Sequence, residues 1–242
     1  WRINGAKEFI TNSGTDITSL VTVTAVTGTV EGRTGHDGRP AKEISTILVP
    51  AGTEGFSVAK AYDKVGWNSS DTHALHFSDV RVPEENLLGA RGRGFAHFLE
   101  ILDEGRIAIA ALATGAAQGC VDESVAYAKQ RTSFGQKIGQ FQAVSFKIAR
   151  MQARAHAARL AYYEAAQKML AGKPFKTEAA MAKLIAGEAA MDNARDATQV
   201  FGGYGFMNET LVARHYRDSK ILEVGEGTTE VQLMLIAREL GL

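Results

Sequence analysis

Apolar and polar positions alternate along the first third of the chain and recur at three- and four-residue steps along the rest. Over residues 19–27 apolar and hydroxyl side chains take turns, the two-residue period of a half-buried strand. Residues 44–49 make another strand. Between the two, residues 28–43 carry Gly28, Gly32, Gly35 and Gly38 among mixed charges, which predicts an exposed, mobile loop. Asn4-Gly5, between residues 1–3 and 7–11, predicts a two-residue hairpin. In residues 72–83 the apolar parity shifts from Leu75 and Phe77 to Val80 and Val82. That shift predicts a bulge near Ser78-Asp79, with Pro83 ending the strand.

The pattern changes after the linker at residues 83–94, where Ala, Leu, Met and Lys become frequent. Residues 95–130 read as one long helix. Its small residues Gly105, Ala108, Ala111, Gly115 and Gly119 predict a face that a neighbouring helix approaches closely. Phe141, Val144, Ile148, Met151, Ala155, Ala158, Tyr162, Ala165 and Met169 form a second helical seam. Gly172-Lys173-Pro174 breaks it, and residues 177–201 make a third helix that stops at Gly202-Gly203. Short connections between long helices imply antiparallel neighbours. The expected fold is α+β and multidomain: a β-rich part over 1–88, then an antiparallel four-helix-type bundle over 89–242.

The 242 residues carry no net formal charge, which argues against nucleic acid as the main partner. No apolar run approaches a membrane span. Cys120 is the only cysteine, so an internal disulfide is excluded, and its small neighbours suggest a packed residue, not a nucleophile. The chain opens directly in strand-like sequence at Trp1, without Met, and reads as a fragment. The histidines lack metal-ligand spacing. His73 and His76, three apart in a strand, face opposite sides, so no metal site is expected.

Several stretches could carry chemistry. Glu226 stands between Gly225 and Gly227, on backbone able to turn sharply and admit a substrate. Thr228 or Thr229 then caps a helix with Val231, Leu235 and Ile236 on its apolar face. Residues 131–136 offer Arg131, Thr132, Ser133 and a flexible Gly135 just before a helix N-terminus. Those are the ingredients of a phosphate site, or equally of an ordinary turn with a surface arginine. Residues 199–206 place glycines after a helix, as a C-cap would. Asp103 and Arg106 are spaced for an ion pair on one helix face.

Taken in order, these stretches resemble the acyl-CoA dehydrogenases. The likeness is carried by residues 213–221, Glu226-Gly227-Thr228 and Ile236-Ala237-Arg238 at the C-terminus, by Arg131-x-Ser133-Phe134-Gly135 with Phe141-Gln142, and by residues 199–206 and 8–12. Residues 173–183 and 103–107 look most like the short-chain and short-branched members. The resemblance implies a β-barrel-like middle domain, an acyl-CoA substrate and FAD. It also implies electron-transfer flavoprotein as electron acceptor and a homo-oligomer built as a dimer of dimers. Glu226 is then the base that removes the α-proton while the β-hydrogen leaves as hydride.

By the same likeness Arg131 and Ser133 hold the FAD pyrophosphate, with Phe141 and Gln142 nearby and Phe134 also in the cofactor set. Gln199, Gly202 and Gly203 meet the FAD of a neighbouring subunit. Phe9, where many members carry Trp, and Thr11 lie against the flavin ring, and Thr228 and Glu230 complete the cofactor set. Asp103, Arg106, Gly225, Gly227 and Arg238 fall to the acyl-CoA. Gly105 occupies the position where isovaleryl- and long-chain-type members carry their base, which leaves Glu226 as the matching candidate.

The chemistry asks for a buried Glu226 with a raised pKa and for hydrogen bonds to the thioester oxygen. Gly225 stands where many members carry Tyr, which predicts a wider pocket beside the α-carbon. The family's first helical domain and the start of its middle domain lie outside this sequence, so weak FAD binding by the fragment alone is expected. A flavin oxidase on the same fold and a non-catalytic acyl-CoA-binding homologue are the competing readings. The expected compartment is the cytoplasm, or the mitochondrial matrix in a eukaryote.

Overall fold

The computed structural model describes residues 1–35 and 37–242. It divides into two compact units, residues 1–64 with 68–101 and residues 65–67 with 102–242.

The first unit holds β1 (Arg2–Thr11), β2 (Leu20–Thr34), β3 (Pro40–Pro50), β4 (Phe56–Val58), β5 (Thr72–Arg81) and β6 (Leu87–Leu88). They form two antiparallel three-stranded sheets, ordered β1-β5-β4 and β2-β3-β6. Ile3, Val21, Val23, Ile47, Val49, Leu75, Phe77 and Val80 fill one core between them. The sheets do not close into a barrel among the described residues. Among these residues no strand of one sheet pairs with a strand of the other, and the edges β1, β2, β4 and β6 stay open.

Two turn expectations are corrected. Asn4-Gly5 makes no hairpin, because β1 runs straight through it and pairs with β5. Residues 28–43 are not a loop over most of their length, since β2 continues to Thr34 and β3 begins at Pro40. Pairing along the ladder overrides the local turn preference of the glycines. His36, within that stretch, lies outside the described residues. The bulge near Ser78-Asp79 is present. Ile3 pairs with Val80 and Gly5 with Phe77, so Asn4 faces two residues, and Asp79 takes a φ of +55°.

The second unit is helical. It contains most of α1 (Gly94–Gln130), then a two-strand hairpin, β7 (Thr132–Ser133) and β8 (Gln136–Lys137). Next come α2 (Gln142–Leu170), α3 (Lys176–Phe201), α4 (Leu211–Ser219), α5 (Ile221–Val224) and α6 (Thr229–Glu239). Alanines dominate the shared core: Ala110, Ala113 and Ala117 of α1 pack with Ala155, Ala158 and Ala165 of α2 and with Ala179, Ala182, Ala186 and Ala190 of α3. Small side chains let the helix axes come close.

Cross-helix contacts fix the directions. Lys168 pairs with Glu178 and Arg154 with Asp196, so α2 and α3 are antiparallel. Asn193, fully buried, donates to the carbonyls of Ala117 at 3.1 Å and Met151 at 2.9 Å, tying all three long helices together. Trp67 joins this unit through its backbone N–H, 2.7 Å from the Asp218 carboxylate. Beyond α3 the chain forms short helices, with no fourth long helix among the described residues.

The small-residue face of α1 is also corrected. Gly115 has open space beside it, and Gly119 meets the His215 ring of α4; the buried side is instead the one bearing Ala110, Ala113 and Ala117. Cys120 is fully buried and its thiol is pushed up to about 12, as expected for a packed, unreactive residue. No helix among the described residues is long and apolar enough to cross a membrane.

His73 is buried and His76 exposed. The His73 ring sits 2.6 Å from the Ala59 carbonyl through Nδ1 and 2.6 Å from Asp71 through Nε2. Two acceptors favour the imidazolium, so its pKa is raised above 6.5, first by Ala59 and then by Asp71. Asp71 is lowered below 3.8, first by the Gly14 N–H. A raised His pKa adds stability that is complete below about pH 6.5 and is lost as pH climbs through the folded-state value. The lowered Asp71 acts the other way, its contribution being lost as pH falls below its ordinary value. The melting temperature followed by circular dichroism should therefore drop as pH rises above about 6.5, and drop less in His73→Phe.

Candidate functional site

Helix α5 ends at Val224, capped by the extended Gly225, and the chain turns before α6 starts at Thr229. Two consecutive residues of this turn are left-handed, Glu226 at φ +55° and Gly227 at φ +95°. A non-glycine residue there is strained and must be held by its surroundings. The hold comes from below. Lys183 of α3 donates to the Glu223 carbonyl at 3.0 Å and to the Gly227 carbonyl at 2.6 Å. Gln232 of α6 adds a bond to Gly227 O at 2.9 Å. The φ of Gly227 favours glycine, and a Cβ there would crowd the Gln232 amide nitrogen at 2.9 Å, which would have to shift.

In front of the turn, position 105 is open. A Cβ there would sit 3.5 Å from Glu226 Oε2, so positions 105 and 226 reach the same spot. Position 225 is tighter: a Cβ there would lie 3.2 Å from the Ile221 carbonyl oxygen and 3.6 Å from the Ile221 side chain. The expectation of a buried Glu226 is corrected: its side chain is exposed. The glycines on either side and at position 105 contribute nothing to cover it. Thr228 occupies the N-cap of α6 but makes no capping bond from its side chain. The Glu230 carboxylate behind it is held below its ordinary pKa, first by its own backbone N–H and then by Thr228. Arg238 is exposed in the last turn of α6.

Asp103 and Arg106 are not on a solvated face. Arg106 is 3% exposed and bonds Asp103, while its Nε has no partner among the described residues. Lys176 stands 3.9 Å from the other Asp103 oxygen. Lys183 is 1% exposed, and burial pushes its pKa down to about 8 against the pull of Glu223 and Glu226. The Glu226 turn thus lies over one buried cation, Lys183, whose pKa the Arg106 guanidinium lowers further.

A second cluster lies at the α1–α2 connection. Arg131, Ser133, Gly202 and Gly203 line one open cleft, with the stacked rings of Tyr127 and Phe201 in its wall. A Cβ at Gly202 or Gly203 would meet nothing within 4 Å, so backbone is presented to open space. Arg131 forms no ion pair among the described residues. A free cation beside bare backbone suits a phosphate-bearing ligand. The expectation that Gly135 directly precedes a helix N-terminus is corrected. It turns the β7–β8 hairpin at φ +80°, and residues 138–140 intervene before α2. Phe134, 94% exposed at the hairpin tip, meets Phe141 edge to face. Gln142 opens α2 and Gln199 lies in the last turn of α3, both exposed.

Phe9 and Thr11 belong to the first unit. A register shift between Lys7 and Ile10 gives Phe9 a φ of +59° and leaves its ring 74% exposed beside Tyr62. Among the described residues, no three His, Cys, Asp or Glu are grouped to hold a metal.

The profile described as "Acyl-CoA dehydrogenase, C-terminal domain" matches residues 92–241, and that of the middle domain matches residues 1–80. The chain belongs to the acyl-CoA dehydrogenase family. It is 44% identical over 235 residues to the short-chain specific acyl-CoA dehydrogenase of Megasphaera elsdenii, covering 97% of this chain and 59% of that protein. It is 41% identical to the mitochondrial short-chain enzyme of Mus musculus, covering 99% and 56%. The solved butyryl-CoA dehydrogenase of M. elsdenii superposes with a TM-score of 0.90 at 43% identity, covering 100% of this chain and 60% of that one. The chain thus spans somewhat under two thirds of the length of these relatives.

The family likeness drew attention to Glu226 but not to what holds it. Lys183 and Gln232 were missed as functional residues. A signal existed for the first: Lys183 falls on the same helical face as Ala179, Ala182, Ala186 and Ala190, where a lysine has no place unless its charge is used.

Proposed function

We propose that the chain is the middle and C-terminal part of an FAD-dependent acyl-CoA dehydrogenase, with residues 1–88 and 89–242 as its two domains. In this reading α4–α6 act as the fourth member of an antiparallel bundle with α1, α2 and α3. Glu226 is the α-proton base, and the observation that carries this is its left-handed, clamped turn facing the open position 105. The names of the relatives point to short thioesters such as butyryl-CoA as substrates.

Bound FAD supplies the acceptor for the β-hydride. The chain's own residues do the rest. A thioester entering over Gly105 meets a carboxylate oxygen rather than a Cβ, and Glu226 takes its α-proton. The backbone N–H of Glu226 donates to the thioester oxygen as negative charge grows there. Exclusion of water from Glu226 falls to the bound ligands, since the carboxylate is exposed in the chain by itself. Asp103, held by Arg106, contributes the polar wall of the acyl-CoA site, with Gly225, Gly227 and Arg238 around it.

The cleft of Arg131, Ser133, Gly202 and Gly203 fits the FAD pyrophosphate, with Phe134, Phe141, Gln142 and Gln199 beside it. One ligand in that cleft would meet all four lining residues at once. They therefore serve the same FAD molecule, that of the neighbouring subunit in a dimer of dimers. Phe9 and Thr11 line the flavin ring, Thr228 and Glu230 complete the set, and electron-transfer flavoprotein reoxidises the enzyme. The compartment is cytoplasmic, or mitochondrial in a eukaryote.

The test uses the full-length holoprotein under anaerobic conditions. Butyryl-CoA should bleach the visible flavin absorbance, and Glu226→Gln should slow bleaching by at least about 10²-fold with FAD retained. Equal bleaching by both proteins would refute the assignment. Gly225→Tyr should shift preference from branched toward straight acyl chains by about tenfold in kcat/KM, read from competing substrates.

A further inference from the structure

The buried ammonium of Lys183 has no carboxylate within salt-bridge distance among the described residues. Its two hydrogen bonds go instead to main-chain carbonyls on either side of Glu226, three residues before it and one after. Gln232 reaches the second of those carbonyls from α6, and the remaining oxygen of its own amide has no partner. Two side chains from two helices thus converge on Gly227 O. The residue they flank is the one non-glycine position of the turn with a left-handed backbone.

A lysine at a core position of an alanine-rich helix costs desolvation that an apolar residue of equal length would not. Elsewhere in the same core, the neighbouring positions of α3 are alanines. Packing alone therefore gives no reason for Lys183, whereas the Glu226 turn does: the strained backbone needs donors beneath it. We propose that Lys183 and Gln232 form a two-donor clamp that sets the direction of the Glu226 side chain, making Lys183 a positioning residue for the proton transfer. The inference rests on Glu226 being the base.

The clamp works through hydrogen bonds. The groups facing Lys183 are the carboxylates of Glu223, Glu226 and Glu230, which favour its charge, and the Arg106 guanidinium, which opposes it. Released from the clamp, the turn would relax toward right-handed backbone and swing the carboxylate away from position 105. A displacement of about 1 Å in a reacting group can cost on the order of 10²-fold in rate.

The experiment compares the full-length holoprotein with Lys183→Met, Gln232→Met and Glu226→Gln. Hydrogen–deuterium exchange of residues 223–229, read by mass spectrometry without substrate, should speed up about tenfold or more in both clamp variants and stay unchanged in Glu226→Gln. In the same proteins kcat for butyryl-CoA should fall about 10²-fold in Lys183→Met, and less in Gln232→Met, with KM within about threefold. Unchanged exchange in this segment, or an unchanged kcat in Lys183→Met, overturns the clamp. Should Lys183→Met fail to fold, Gln232→Met decides on the same two readouts. Full activity in Glu226→Gln would instead overturn the base assignment, leaving the exchange result to judge the clamp separately.

Discussion

A buried positive charge with no salt-bridge partner among the described residues is the constraint on which the C-terminal half of this chain depends. Lys183 sits where the helical core would accept alanine, and its ammonium is satisfied only by carbonyls of the turn above it. Burial makes that charge expensive, and the turn makes it useful. Remove the turn and Lys183 is an orphan; remove Lys183 and two successive left-handed residues lose most of what holds them.

That arrangement needs a rigid floor. Alanine-lined helices pack closely enough for Asn193 to reach the backbones of both α1 and α2 from α3, and this fixes α3 as the central element. Lys183 projects from that element and Gln232 from α6. Gly105 lies on α1 with its missing side chain opposite Glu226. Three helices therefore meet around one carboxylate, each contributing a donor, an opening or the chain itself. Exposure of Glu226 in the chain alone follows from the same glycines that would let a thioester approach.

Much of the fold was legible in the residues. The apolar seam of α2 and the glycine stop after α3 fell where the periodicity set them, and the parity shift at Ser78-Asp79 marked a real bulge. What misled was local chemistry overruled by pairing: Asn4-Gly5 has the composition of a turn, yet the β1–β5 ladder runs through it. The small-residue face of α1 misled for a related reason. Glycine spacing announces room for a neighbour but does not say which side of the helix the neighbour takes. At the site, glycines around Glu226 signalled a sharp turn, whereas its support comes from Lys183, 43 residues earlier, whose only trace in the sequence is a charge on an alanine face, and from Gln232 on the next helix.

The central claim is that the carboxylate at position 226 is the one that faces the substrate's α-carbon. A crystal structure of the full-length holoprotein with a non-reactive 3-thia acyl-CoA tests it most directly. The account predicts a Glu226 oxygen within about 3.5 Å of that carbon, with the Lys183 bonds to Glu223 O and Gly227 O intact. A different acid at that distance, with Glu226 turned to solvent, would contradict it.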